Sequence, residues 1–127
     1  MQSNIKFNIK AHNKIAADYA GIHGEIYNRH EQSRLHDALK EAIGLIMCGD
    51  IAKRKRVLDL GCGAGNLTDH LVSLGARVIS SDVSDVFLSQ IDERYGQSDV
   101  ETLLLNGNDL SNIESASLDM VATYSVL

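Results

Sequence analysis

Val57-Leu58-Asp59-Leu60-Gly61-Cys62-Gly63-Ala64-Gly65-Asn66 is the stretch whose reading decides the fold. Its first half is a short apolar run of the kind that is covered on both faces of a parallel sheet. Its second half is a turn of closely spaced glycines that opens a helix. From Asn66 to Leu74 the residues Leu67, Leu71 and Leu74 share one helical face, and Gly75 stops the pattern. Such a turn lets backbone approach a ligand with no Cβ in the way, and the helix start offers unpaired N–H groups. Many nucleotide-binding proteins share that much. Two details narrow the reading. The spacing is G-x-G-x-G, so the third glycine of the dinucleotide fingerprint G-x-G-x-x-G would fall on Asn66. In addition, the strand position two before Gly61 is Asp59, where nicotinamide- and flavin-binding strands keep an apolar residue. A carboxylate there suits a cationic group above the turn better than a pyrophosphate. The plainer alternative is a tight strand–helix turn with Asp59 merely exposed at a strand end.

Downstream, strands and helices alternate. Arg77 to Ser81 reads as the second strand. Ser84 caps a helix carrying Phe87, Leu88, Ile91 and Tyr95 and closed by Gly96. Val100 to Leu105 reads as a third strand and Leu118 to Tyr124 as a fourth, flanked by Asp119. The first two crossovers have the length of βαβ units; the third, Asn106 to Ser117, is short enough to hold only a helical turn. This predicts an α/β fold with helices packed on a mostly parallel sheet.

Two more acidic positions fall at strand ends. Asp82 lies 21 residues after Gly61, where a carboxylate is expected to accept from the two hydroxyls of a ribose. It could instead cap the next helix, but Ser84 already fills that place. Asn108-Asp109 follows the third strand: a carboxylate there can accept from an exocyclic amine, and the next backbone N–H, of Leu110, can donate to a ring nitrogen. Asn-Gly-Asn-Asp is also an ordinary turn sequence.

Upstream the texture is helical. Ala11, Ile15, Tyr19 and Ile22 form one stripe, weakened by Gly21 and Gly24. A second helix is capped by Asn28, with Glu31 in the capping-box position. It shows an apolar face of Leu35, Leu39, Ala42, Ile43 and Ile46, and ends at Gly49. The expected organisation is a helical cover over 1–49 and a cofactor-binding unit over 50–127.

The whole chain has 127 residues, 44% of them hydrophobic, and 12 − 17 = −5 formal charges at neutral pH. That suits one soluble domain and argues against nucleic-acid binding through overall charge. The apolar run from Ile43 to Cys48 is far below the roughly 20 residues of a membrane span, and no secretory leader opens the chain. Two cysteines, Cys48 and Cys62, make no disulfide framework, so a reducing, cytoplasmic setting is expected.

The succession Asp59-Leu60-Gly61-Cys62-Gly63-Ala64-Gly65, then Ser81-Asp82-Val83-Ser84, Asn108-Asp109 and Leu118-Asp119-Met120-Val121 resembles the class I S-adenosylmethionine-dependent methyltransferases over about Lys53 to Leu127. The resemblance implies a Rossmann-like sheet whose glycine turn, Gly61, Cys62, Gly63 and Gly65, carries the methionine part of the cofactor. Asp59 would sit near the amino group and Asp82 on the ribose. Val83 would pack on the adenine, which Asn108, Asp109 and the Leu110 N–H would hold, and backbone near Tyr124 and Ser125 would close the site. Asn13 to Tyr19 is similar to a helix that lies over the cofactor in small-molecule members; Tyr19 reads equally well as a core aromatic. Members build seven strands in the order 3-2-1-4-5-7-6, and this chain supplies strands 1 to 4. It is therefore expected to be the N-terminal part of a larger protein, with a fourth-strand edge free to self-associate and the acceptor pocket largely elsewhere.

The implied reaction is methyl transfer to a small-molecule acceptor, by positioning more than by any catalytic residue visible here. The rivals are a nicotinamide-dependent (NAD(P)) oxidoreductase, against which Asp59 and the missing fingerprint glycine count, and a non-catalytic cofactor-binding fragment. No metal site is expected from His12, His23, His30 and His36, which lack the helical zinc spacing. His23 or His30 would be the first choice as a base toward the acceptor. Lys53-Arg54-Lys55-Arg56 reads as a solvated turn before the first strand, and Cys62 as a small residue suited to the turn, not a nucleophile.

Overall fold

The computed structural model describes residues 28–46, 55–96 and 99–124. Within them, helix α1 spans Arg29–Ile46, strand β1 Arg56–Leu60, helix α2 Asn66–Ser73 and strand β2 Arg77–Asp82. Helix α3 spans Asp85–Tyr95, strand β3 Val100–Leu104 and strand β4 Met120–Thr123. Tyr19, the stripe from Ala11 to Ile22, His12, His23, Cys48, Gly49, Lys53, Arg54 and Ser125 lie outside the described residues.

Every strand pair is parallel, in the order β3-β2-β1-β4. The chain lays down β1, β2 and β3 in one direction and then returns to place β4 on the other side of β1. That reversal makes the carboxyl ends of β1 and β4 a topological switch point, where open α/β sheets bind their ligands.

Local chemistry accounts for the elements. The register Val57↔Val78↔Val100 lines one sheet face with β-branched side chains. Leu67 and Leu71 of α2, with Leu88 and Ile91 of α3, join them in one buried cluster. Each large apolar side chain buried there is worth about 1.5–3 kcal/mol. Leu58 and Ile79 point to the opposite face and are buried too, as strands covered on both sides require. Leu35 and Ile43 bring α1 into the same core as the sheet. Asn28 Oδ1 accepts the Glu31 N–H at 2.8 Å, and Ser84 Oγ accepts the Phe87 N–H at 3.3 Å, each satisfying a donor in a helix's first turn.

The boundaries shift by a residue or two from the sequence expectation, for identifiable reasons. β2 runs on to Asp82, whose carbonyl accepts the Leu105 N–H at 2.8 Å. β4 is shorter than Leu118 to Tyr124. Asp119 pins its start: the Asp119 N–H donates to the Arg56 carbonyl at 2.9 Å, and its carboxylate accepts the Arg56 N–H at 2.8 Å. The segment between β3 and β4 holds turns, without a helix. Among the described residues no helix is long and apolar enough to cross a membrane.

Candidate functional site

The glycine turn leaves the carboxyl end of β1 and wraps toward α2. Gly61, Gly63 and Gly65 all have positive φ, at 71°, 53° and 94°. Most of its amides are already engaged. The N–H groups of Gly61 and Cys62 both donate to the Ser81 carbonyl at 2.9 Å, and that of Gly65 donates to the Cys62 carbonyl at 3.0 Å. The Gly63 N–H donates to Asp82 Oδ2 at 3.0 Å. A loop that binds a diphosphate through its backbone needs those donors free; here four of them are committed inside the protein. Around Gly63, by contrast, a Cβ would meet nothing within 4 Å, so the turn faces open space at that residue.

Two buried carboxylates, Asp59 in β1 and Asp82 at the end of β2, belong to the strands on which the turn is built. Asp59 is only 2% exposed, not displayed at a strand end. Its Oδ2 accepts the Thr68 hydroxyl at 2.7 Å, and Thr68 Oγ1 lies 2.6 Å from Ser80 Oγ. Because the single Thr68 hydroxyl hydrogen goes to the carboxylate, Ser80 is the donor to Thr68. The two serines of β2 have separate tasks, since Ser81 Oγ donates to the Asp59 carbonyl at 3.0 Å. Among the described residues no cationic side chain forms an ion pair with Asp59. Burial pushes its carboxyl up to about 6, against the hydrogen bonds from Thr68 and with help from the negative charges of Asp82 and Asp69. A buried carboxylate held only by the hydroxyl and backbone of Thr68 is a costly arrangement that a bound cation would relieve.

Asp82 closes the other end. Its Oδ2 takes the Gly63 amide, and its Oδ1 takes the Ser84 N–H at 2.9 Å. Two carboxylate oxygens offer about four acceptor positions, so capacity remains for a vicinal diol. Ser84 performs the helix cap itself, which leaves Asp82 to the turn and the crevice. Val83, half-buried, sits between them.

The remaining expected residues are exposed or peripheral. Asn108, Asp109 and Leu110 stand at the surface of the loop after β3. Asn106 Oδ1 accepts the N–H groups of Asn108 and Asp109 at 2.8 and 3.0 Å, and Asp109 Oδ1 accepts from Ser111 N–H at 3.1 Å. The Ser111 backbone holds the Asp109 carboxyl below its ordinary value. The loop thus keeps its shape without a ligand, and it begins at Leu105, tied to Asp82. Cys62 is buried, and desolvation raises its thiol, which opposes formation of the nucleophilic thiolate.

Helix α1 bridges both sides of the crevice by contacts that the sequence does not signal. The Tyr124 hydroxyl, just past β4, donates to Glu31 Oε1 at 2.8 Å, and Arg34 binds the same carboxylate through two nitrogens. These bonds, Arg34 foremost, lower the Glu31 carboxyl to about 2. One residue on, Gln32 Nε2 donates to Asn66 Oδ1 at 2.7 Å at the start of α2. Thr68, Ser80 and Gln32 escape a linear reading because a hydroxyl or amide acquires its role only when a strand distant in sequence delivers its partner.

The Methyltransferase domain family matches residues 57–127 of the chain. A methyltransferase of Clostridium acetobutylicum, dependent on S-adenosylmethionine, superposes with a TM-score of 0.60 at 20% identity, over 89% of this chain and 43% of its own. A Pyrococcus horikoshii protein proposed to methylate RNA gives 0.53 at 27% identity, over 74% and 44%. Coclaurine N-methyltransferase, solved with N-methylheliamine and S-adenosylhomocysteine, gives 0.53 at 26% identity, over 74% and 26%. No curated protein matches the sequence. The chain spans less than half the length of each of these three structures.

Proposed function

Because the chain belongs to the Methyltransferase domain family, we propose that the carboxyl edge of its sheet binds S-adenosylmethionine and that the protein of which these residues form part transfers the methyl group to a small-molecule acceptor. The observation that carries this reading is the buried carboxylate of Asp59, without a cationic partner among the described residues, beside a glycine turn most of whose amides are already bonded. That pairing suits an ammonium and opposes a diphosphate, which disfavours a dinucleotide cofactor.

The chain's own residues then divide the work. Asp59 takes the amino group of the methionine part, held ready by Thr68. Gly63 leaves room for that part, and Asp82 takes the ribose hydroxyls. Val83 packs on the adenine, whose amine and ring nitrogen meet Asp109 and the Leu110 N–H, with Asn108 shaping the loop. Tyr124 closes the side next to β4. When bound, the cofactor would supply a sulfonium-activated methyl group open to in-line displacement by an acceptor, the carbon–sulfur electron pair leaving with the sulfur. Holding the two partners in line supplies much of the rate. An acidic chain of net charge −5 supports a small acceptor over a nucleic acid. Calorimetric titration with S-adenosylhomocysteine and, separately, with NADH tests the assignment: heat from the first alone supports it, and heat from the second alone overturns it.

A further inference from the structure

Gly63 and Gly65 differ in what their missing side chains make room for. A Cβ on Gly63 would project into open space, whereas a Cβ on Gly65 would lie 2.1 Å from Arg94 Nη2 and 2.6 Å from Ile91 Cδ1. The gap at Gly65 is thus filled by α3 and not left for a ligand. Arg94, in the last turn of α3, donates through Nη2 to the Ala64 carbonyl at 2.9 Å. The same nitrogen lies 3.2 Å from Asp69 Oδ1 on α2. The Tyr95 hydroxyl donates to that same carboxylate oxygen, and the guanidinium carbon stands 5.4 Å from the Tyr95 ring centroid. The guanidinium is therefore oriented by a carboxylate and an aromatic face, with one N–H committed to the glycine turn.

We infer that Arg94 is a positioning residue for the cofactor, setting the plane of the peptide between Ala64 and Gly65 and through it the affinity of the glycine turn; this rests on the cofactor reading above. A trans peptide has its carbonyl and its N–H on opposite edges of one plane. Arg94 holds the carbonyl edge, and the Cys62 carbonyl holds the N–H edge through Gly65. With both edges fixed the unit cannot rotate, and Gly63, one residue before Ala64, keeps its amide on Asp82. The turn meets its ligand already shaped, which removes an ordering cost from binding. Gly65 is required because any larger residue would expel the guanidinium.

The test compares wild-type protein with R94A, R94K and G65A. Affinity for S-adenosylhomocysteine is measured by calorimetry, and the ligand-free Gly63 and Gly65 amides by nitrogen–proton correlation spectra. R94A is expected to weaken binding roughly fivefold, in line with one partly exposed charged hydrogen bond, and to shift both amides before ligand is added. R94K should recover part of the affinity, because an ammonium still donates to the Ala64 carbonyl. If R94A does not fold, G65A carries the comparison, since it displaces the guanidinium while leaving its charge in the protein. Adding R94K to G65A should then cost nothing further. Wild-type affinity in R94A or G65A with unmoved amides overturns the inference. Wild-type protein that binds no S-adenosylhomocysteine overturns the cofactor reading instead, and the amide shifts in R94A then still report whether the clasp exists.

Discussion

The carboxylate of Asp82 accepts the amide of Gly63 at 3.0 Å, so the tip of β2 is bonded directly to the glycine turn that follows β1. One side chain thereby braces the cradle for the methionine part and offers acceptors to the sugar. Losing it should do more harm than losing a single ligand contact. D82A is expected to weaken S-adenosylhomocysteine binding more than tenfold, the loss of charge-assisted hydrogen bonds worth roughly 1.5–3 kcal/mol each. Calorimetry on folded D82A measures it, and unchanged affinity would remove Asp82 from the site.

Asp59 makes binding depend on pH. Its carboxyl is held near 6 by burial, above the ordinary 3.8. An ammonium binds its ionised form, so affinity should be level above pH 7 and fall as the pH drops below about 6, by at most tenfold per unit. The linkage to stability has the opposite sense. Between about pH 4 and 6 folded Asp59 retains a proton that the unfolded chain has released, so its contribution to stability declines as pH rises through that window. D59N should therefore be more stable than wild type at pH 8, by about 2–3 kcal/mol at most, while binding more weakly. A D59N protein that is both less stable and equally tight would contradict this account of Asp59.

Gly63 permits a steric test. Its φ of 53° costs an alanine about 1 kcal/mol, and the added methyl enters open space. G63A should fold with a modest loss of melting temperature, yet lose more than tenfold in affinity, because the methyl occupies the place reserved for ligand. Retained affinity would show that the ligand lies elsewhere.

Among the described residues β4 is an edge strand, and its Val121 is 53% exposed. An apolar edge strand with unpaired backbone groups recruits partners. The 127-residue chain should self-associate with concentration in sedimentation velocity, and V121K should reduce that association. Equal sedimentation of the two proteins would exclude the edge as the contact.

Much of this was legible in linear sequence because the information is local. β1 falls on Arg56–Leu60 as the apolar run implies, Ser84 caps α3, and Gly75 and Gly96 follow helix ends with φ of 90° and 63°. Asp59 and Asp82 stand out because a carboxylate at the end of an apolar strand is conspicuous. What stayed hidden depends on partners far along the chain: Thr68 and Ser80 for Asp59, Glu31 for Tyr124, Arg94 for Ala64. None of these residues is unusual in its own neighbourhood. The Asn28 cap on the Glu31 N–H was local and legible, whereas the bonds of the Glu31 carboxylate to Arg34 and to the distant Tyr124 phenol were not.

The most direct measurement follows the backbone amides of the isotope-labelled chain while S-adenosylhomocysteine is added. Shifts are expected to concentrate at Gly61, Gly63, Ala64, Val83 and Leu110, at the carboxyl edge around the β1–β4 switch point. Shifts confined to the opposite edge of the sheet, near Arg77 and Glu101, or no shifts at a saturating concentration, would contradict it.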